Sequence, residues 1–317
     1  MTALLWGLPG DPTMTSVRRA LSRIGVPFLF LDQRQVLAMT VELSIGPAVE
    51  GLLRVAGTAL DLAGVAAAYL RPHDSTRVSA VRDTPPGSPA RRHAREVDDV
   101  LSAWADLSPA LVISRPSAAA SNGSKPAQLQ EIAACGFAVP KTLVTNDPGA
   151  VERFLDRNGP LVCKSASAIR SRVRRLDRGD DLSGRLADVT ACPTQFQRRV
   201  PGTDVRVHVA GAEVFATRIT SDADDYRYAA RQGLPRARLE AIDLPDGVAE
   251  RCRQLACKLG LPVAGVDLRV TPDGEWFCFE VNPSPAFSYY EADTGQPIAA
   301  AVAGLITAAV TCAQVAR

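Results

Sequence analysis

Lysine is almost missing from this sequence. Of 36 basic residues only Lys125, Lys141, Lys164 and Lys258 are lysines. Each survivor therefore hints at a position that wants a compact ammonium rather than a planar fork. Aromatic residues are 5% of the chain. The three histidines, His73, His93 and His208, lie far apart and offer no histidine metal site. The seven cysteines are odd in number, irregular in spacing and without a C-x-x-C pair. Neither a zinc site nor a disulfide framework is indicated. Most stand in apolar contexts, read as small buried hydrophobes, and suit a reducing, cytoplasmic compartment. There is no G-x-x-x-x-G-K-[ST] loop, no G-x-G-x-x-G after a strand, no H-E-x-x-H and no G-x-S-x-G. A net charge of +2 gives no reason to expect nucleic acid or an anionic membrane as partner. The N-terminus lacks the basic stretch of a signal peptide.

What is present is enough apolar material for a large core: 317 residues, 46% hydrophobic and 22% charged. Strands are expected at residues 3–8, 27–31, 65–70 and 110–114, with helices at 15–24 and 91–107, which reads as a βαβ start. A hairpin is expected at 41–45 and 51–55. The stretch 122–126 breaks the pattern. Beyond it come a helix at 127–135, a strand at 142–145, a helix led by Asp147-Pro148 and a strand ending at Lys164. Five arginines between 170 and 178 read as a solvated loop or edge, or as a loop facing phosphate. The stretch 298–316 is apolar, but Ile298, Val302, Leu305, Ile306 and Val310 recur at helical spacing, which reads as a helix packed on a core.

The last hairpin carries the chemistry. Its strands read VAGVDLRV and EWFCFEVN, joined by TPDG. A two-residue turn at Asp273-Gly274 sets Asp267 opposite Glu280; a four-residue loop sets it opposite Cys278. Either register leaves Asp267, Glu280 and Asn282 on one face. Two carboxylates and an amide make an all-oxygen site suited to Mg²⁺, or else a plain solvated face. The rigid Pro283-Ser284-Pro285 turn that follows favours the site. Lys125 and Lys164 sit where helix and strand ends can converge on a triphosphate. Asp204, Arg206 and His208 alternate on one strand, and Arg218 follows in the next. They could hold a ribose and phosphates, or form an ordinary cross-strand ladder.

The order of these parts resembles the ATP-grasp ligase superfamily, in the branch of ribosomal S6 glutamate ligase and glutathione synthetase. Lys125, Lys164, FQRRVPG, the D-V-R strand, Arg218, Asp267 and E-V-N-P at 280–283 carry the likeness. The stretches NGSKPAQLQEIAACGFAVPKTLVTNDP, DLAGVAAAYLRP and TGQPIAAAVAGL are most similar to the ligases that cyclise ribosomally made peptides, the microviridin-type or graspetide maturases. The resemblance implies an α/β ATP-grasp fold: a pre-ATP-grasp domain at 1–117, a central subdomain at 118–200 and a C-terminal subdomain at 201–317. It implies ATP and Mg²⁺ as cofactors and a homodimer. Lys125 and Lys164 would touch phosphates, and the backbone of Gln197, Arg198, Arg199 and Val200 would hold adenine. Asp204 would hold the ribose, and Arg206 and Arg218 would face the transferring phosphoryl group. Asp267, Glu280 and Asn282 would ligate the metal. Asp225-Tyr226-Arg227 is similar to an element near the peptide-binding region of maturases.

Two positions depart from the pattern. No glycine-rich loop follows Lys164, and Arg198 stands where relatives commonly have a hinge Glu. The expected activity is a ligase that turns side-chain carboxylates of a precursor peptide into acyl phosphates and closes ester or amide links. One alternative is a ligase joining an amino acid or amine to a small carboxylate or a peptide end. Another is a module of this fold that binds peptide or nucleotide without catalysis.

Overall fold

The computed structural model describes residues 1–165, 174–179, 186–221, 233 and 235–315. The chain opens with β1 (Thr2–Gly7), α1 (Pro12–Ile24) and β2 (Phe28–Asp32). α1 begins earlier than its apolar spacing suggests, because Asp11 caps it. The Asp11 carboxylate accepts from the amides of Thr13 at 2.8 Å and Met14 at 3.1 Å, with Pro12 at the first helical position. Next comes an antiparallel ribbon, β3 (Thr40–Ile45), β4 (Val49–Val55) and β5 (Thr58–Asp61). β5 is not among the expected strands. Its turn is Ala56-Gly57, both at positive φ (49° and 80°), and Ala is an unusual residue there. β6 (Val65–Arg71), α2 (Pro89–Leu107) and β7 (Leu111–Ile113) complete a parallel sheet of order β2-β1-β6-β7.

α3 (Lys125–Ala134) leads to the second sheet: β8 (Thr142–Thr145), α4 (Pro148–Asn158), β9 (Leu161–Ser165), β10 (Arg174–Leu176) and β11 (Thr194–Arg198). Its order is β10-β9-β11-β8, so part of the arginine run forms an edge strand. The third sheet is antiparallel, of order β14-β13-β12-β15-β16. It comprises β12 (Thr203–Ala210), β13 (Glu213–Thr220), β14 (Arg238–Ile242), β15 (Val263–Val270) and β16 (Trp276–Asn282), with α5 (Asp246–Lys258) between β14 and β15. α6 (Ser288–Thr294) and α7 (Ile298–Val315) end the described chain.

Alternation in β12 decides which way the third sheet faces. Val205, Val207 and Val209 pack with Val248, Cys252 and Leu255 of α5 and with Leu129 and Ile132 of α3. α3 therefore lies on the third sheet. Asp204, Arg206 and His208 take the other face. Phe196 and Leu161 of the second sheet pack on Val151 and Leu155 of α4.

α7 is long and apolar enough to cross a membrane by length and composition. Its Ile298, Val302, Ile306 and Val310 lie in one core with Leu5 and Tyr69 of the first sheet and with Val17 and Leu21 of α1. The end of the chain thus returns to its beginning. The cysteines correct one expectation: only Cys252 and Cys278 are buried, and Cys192, Cys257 and Cys312 are exposed. Cys257 and Cys312 stand on the outward faces of α5 and α7, and Cys192 in the irregular stretch before β11.

Ile306 is 0% exposed in that shared core. Ile306→Ala is expected to lower stability by about 2–5 kcal/mol, seen as a lower urea midpoint with an unchanged slope.

Candidate active site

From Asp267 onward the final hairpin keeps the register of a two-residue turn; nearer the loop it keeps neither of the two that the residues left open. Val270 faces Trp276 and Leu268 faces Cys278, yet Asp267 faces Glu280. One extra residue, Phe279, is absorbed as a bulge between them. The bulge changes the parity of β16. Cys278 and Val281, three residues apart, both enter the α5 core, while Glu280 and Asn282 stay on the opposite face with Asp267. Arg269 lies over the Phe279 ring, 5.5 Å from its centroid.

α3 brings Lys125 to this row by way of Gln128. The buried Gln128 amide donates to the Val281 carbonyl and accepts from the Val281 amide, both at 2.8 Å. It pairs with the edge of β16 as a neighbouring strand would. One helical turn earlier, Lys125 is 5% exposed, and its Nζ lies 3.2 Å from Glu280 Oε2. On the inner side Arg206 Nη1 lies 2.6 Å from Asp267 Oδ1. A row runs across the sheet: Lys125, Glu280, Asp267, Arg206. Each carboxylate has a cation.

Arg206 is held from below. A Cβ on Gly265 would stand 2.0 Å from Arg206 Nη2 and 2.8 Å from Pro285 Cβ, so the guanidinium needs glycine there. Arg206 Nε lies 3.4 Å from His208 Nε2, which must then be the unprotonated ring nitrogen. His208 is 0% exposed, edge-on to Tyr290 at 4.8 Å and Phe287 at 6.2 Å. Burial, and then the nearby Arg206, push its pKa well below the ordinary value.

The link between the second and third sheets is fixed by Arg269. It donates to both Asp204 oxygens, at 2.7 and 2.9 Å, and to the Val200 carbonyl at 2.7 Å. Gly202, at φ 140°, passes so close to β15 that a Cβ would meet the Val270 carbonyl oxygen at 2.2 Å. Gln197 is buried and donates to Thr142 Oγ1 at 3.0 Å. Arg198 is exposed on the other face, opposite Leu161, so its side chain and that of Gln197 point to opposite sides. Arg199 uses its amide on the Pro160 carbonyl at 2.8 Å. Lys164 faces Gln195 across the β9–β11 pair and shares the Gln197 face.

Arg218 does not join Arg206. It pairs with Val205, hence lies on the α5 side of the sheet, exposed and 3.3 Å from Glu240. Spacing alone misplaced it because β12 and β13 run antiparallel with Val205 and not Arg206 at its level. Asp225, Tyr226 and Arg227 lie outside the described residues. Gln128, Gly265 and Arg269 were missed. A Gln one turn after Lys125, and a glycine two residues before Asp267 in a strand of apolar residues, were the signals available.

The His208 environment sets a pH dependence. The unfolded chain takes up a proton on this imidazole below about pH 6.5, whereas the folded chain keeps it neutral. The stabilisation is full above that pH and is lost as pH falls through it, by up to about 1.4 kcal/mol per unit. Urea midpoints measured between about pH 7.5 and 5.5 should fall for the wild type and stay flatter for His208→Phe. Equal slopes would refute this.

Residues 122–306 match the RimK-like ATP-grasp domain. The solved structure of the ATP-grasp ligase PsnB complexed with minimal precursor is 29% identical, with a TM-score of 0.81, covering 97% of this chain and 98% of that one. PsnB with a phosphomimetic variant of minimal precursor, Mg and ADP is 28% identical, with a TM-score of 0.79, covering 97% and 98%. The RiPP-associated ATP-grasp ligase of Chryseobacterium gregarium shares the fold at a TM-score of 0.83 and 19% identity, covering 97% of each chain. Beta-citrylglutamate synthase B of Danio rerio is 25% identical over 208 residues, 62% of this chain and 50% of that protein, so the chain spans about half the length of that relative. The domain match takes in more than half of the chain and holds the Lys125, Arg206, Asp267 and Glu280 row: the protein belongs to the RimK-like ATP-grasp family.

Proposed function

We propose that this ligase activates Asp or Glu side chains of a ribosomally made precursor peptide and joins them, within the same peptide, to a hydroxyl or amine. The row of two opposed carboxylates, each matched by a cation on one half-buried face, carries the phosphoryl-transfer part of this reading. The peptide part is supported by likeness to PsnB, solved with its minimal precursor, through 97% of the chain.

Asp267, Glu280 and Asn282 fit a divalent cation by their chemistry: two carboxylates and an amide oxygen on one face. Bound there with ATP, Mg²⁺ would offset charge on the phosphates. Lys125 and Arg206 would then leave Glu280 and Asp267 and turn to the phosphate oxygens. Lys164 would serve the same phosphates from β9. The backbone of residues 197–200 would take the base, and Asp204 would exchange Arg269 for the ribose. Arg206 carries the role first shared with Arg218, which faces the other way.

A substrate carboxylate oxygen attacks the γ-phosphorus, and the bond to the β-phosphate oxygen breaks, releasing ADP. A hydroxyl or amine of the peptide then attacks the acyl carbon. The C–O bond to phosphate breaks, and the nucleophile's proton ends on phosphate or solvent. Holding both groups in one cleft favours ring closure over hydrolysis. Joining an amine to a small carboxylate uses the same steps, and the likeness to a beta-citrylglutamate synthase supports that second reading.

Calorimetry should show MgATP binding to the wild type, weakened about tenfold or more by Glu280→Gln and by Lys164→Ala. Mass spectrometry of candidate precursor peptides with MgATP should show loss of one water per link. No MgATP binding would sink the reading. Product only from small carboxylates with free amines would select the second.

A further inference from the structure

The first sheet offers a ligand crevice by its topology. Chain order reverses between β1 and β6, and open parallel sheets bind ligands outside the strand ends at such a point. Gly7 and Arg71 end those strands side by side. Arg71 is mostly buried and lies 2.8 Å from Asp11, the cap of α1. Burial opposes the Asp11 charge, but Arg71 and the α1 amides together hold its carboxyl below the usual range.

The chain's own segment fills this crevice. Arg71 Nη1 donates to the Ser284 carbonyl at 3.3 Å, the Ser284 hydroxyl at 3.1 Å and the Pro285 carbonyl at 2.9 Å. Ser114, just past β7 and held at a φ of 64°, donates its hydroxyl to the Pro283 carbonyl at 3.1 Å. Three successive carbonyls, those of residues 283, 284 and 285, thus all accept from the N-terminal unit. Ser284 in turn donates its amide to Asn282 Oδ1 at 3.0 Å, which sets the plane of that amide.

We propose that Arg71 is a positioning residue for the metal site: from the N-terminal unit it orients Asn282 through the 283–285 turn. This rests on the metal reading above. Groups that orient a ligand from behind typically alter metal affinity about 10–100-fold when removed. Asp11 accepts from Arg71 Nε at 2.8 Å, and Pro283 and Pro285 stiffen the turn.

The test titrates Mn²⁺, an oxygen-preferring stand-in for Mg²⁺, into the full chain with saturating ADP, reading free Mn²⁺ by electron paramagnetic resonance. Metal-free ADP affinity is measured in parallel. Arg71→Met should weaken Mn²⁺ about 10–100-fold and leave metal-free ADP binding unchanged. Arg71→Lys keeps the charge but cannot hold Asp11 through one nitrogen and the turn through another, and should fall between. Wild-type-like Mn²⁺ affinity in Arg71→Met overturns the proposal. So does an equal loss of Mn²⁺ and metal-free ADP affinity, which marks general loosening. If Arg71→Met fails to fold, wild-type affinity in Arg71→Lys overturns it. If the wild type itself binds ADP but no Mn²⁺, the metal reading falls and takes this inference with it.

Discussion

Two carboxylates directly opposite each other on a sheet repel, and the repulsion grows when the face is half-buried. Asp267 and Glu280 stand in that relation, and much of the surrounding architecture answers it. Lys125 comes in on α3 from one side and Arg206 along β12 from the other. Each cation needs its own support. Gln128 docks α3 on β16; Gly265 and His208 make the floor under Arg206. A charged row of this kind stores an exchange: a cation from solution and an anionic ligand can replace the internal partners with little net change in charge. Such an exchange is most favourable when both arrive together, since either alone leaves part of the row without a partner.

Supports of the same kind recur along the chain. Arg269 ties Asp204 to the Val200 carbonyl, and Arg71 ties Asp11 to the turn after Asn282. In each case an arginine joins one carboxylate to backbone carbonyls of a different element. The forked guanidinium can do this and an ammonium cannot. A chain with 36 basic residues and only four lysines has, in these places, used the fork structurally. Lys125, where a single buried point charge meets Glu280, kept the ammonium.

Much of this could be read in the residues. Apolar runs ended by Asp32, Lys164 and Asn282 did mark strands, Asp147 did cap its helix through the Gly149 amide, and Gly25 did close α1. The shared face of Asp267, Glu280 and Asn282 followed from period two, although by a bulge that no pattern announced. Arg218 was legible locally: the two-residue turn Gly211-Ala212 pairs Ala210 with Glu213, and counting back from it sets Arg218 opposite Val205, on the face away from Arg206. What could not be read was long-range. The partners of Arg71 and Arg269 lie 213 and 65 positions away in the chain, so only the packed fold reveals them. β5 escaped because its turn uses Ala56 where Asn would have advertised it.

The paired amide of Gln128 has a consequence for solubility. β16 is the outermost strand of its sheet, and an open edge is a template for adding a strand from another molecule. Gln128 occupies both hydrogen-bonding groups of Val281, and the Ala138 carbonyl takes the amide of Cys278. A side chain and a stretch of loop thus stand in for the missing neighbour along much of the edge. The same contacts that bring Lys125 to the carboxylates also close this margin of the molecule to β-sheet aggregation.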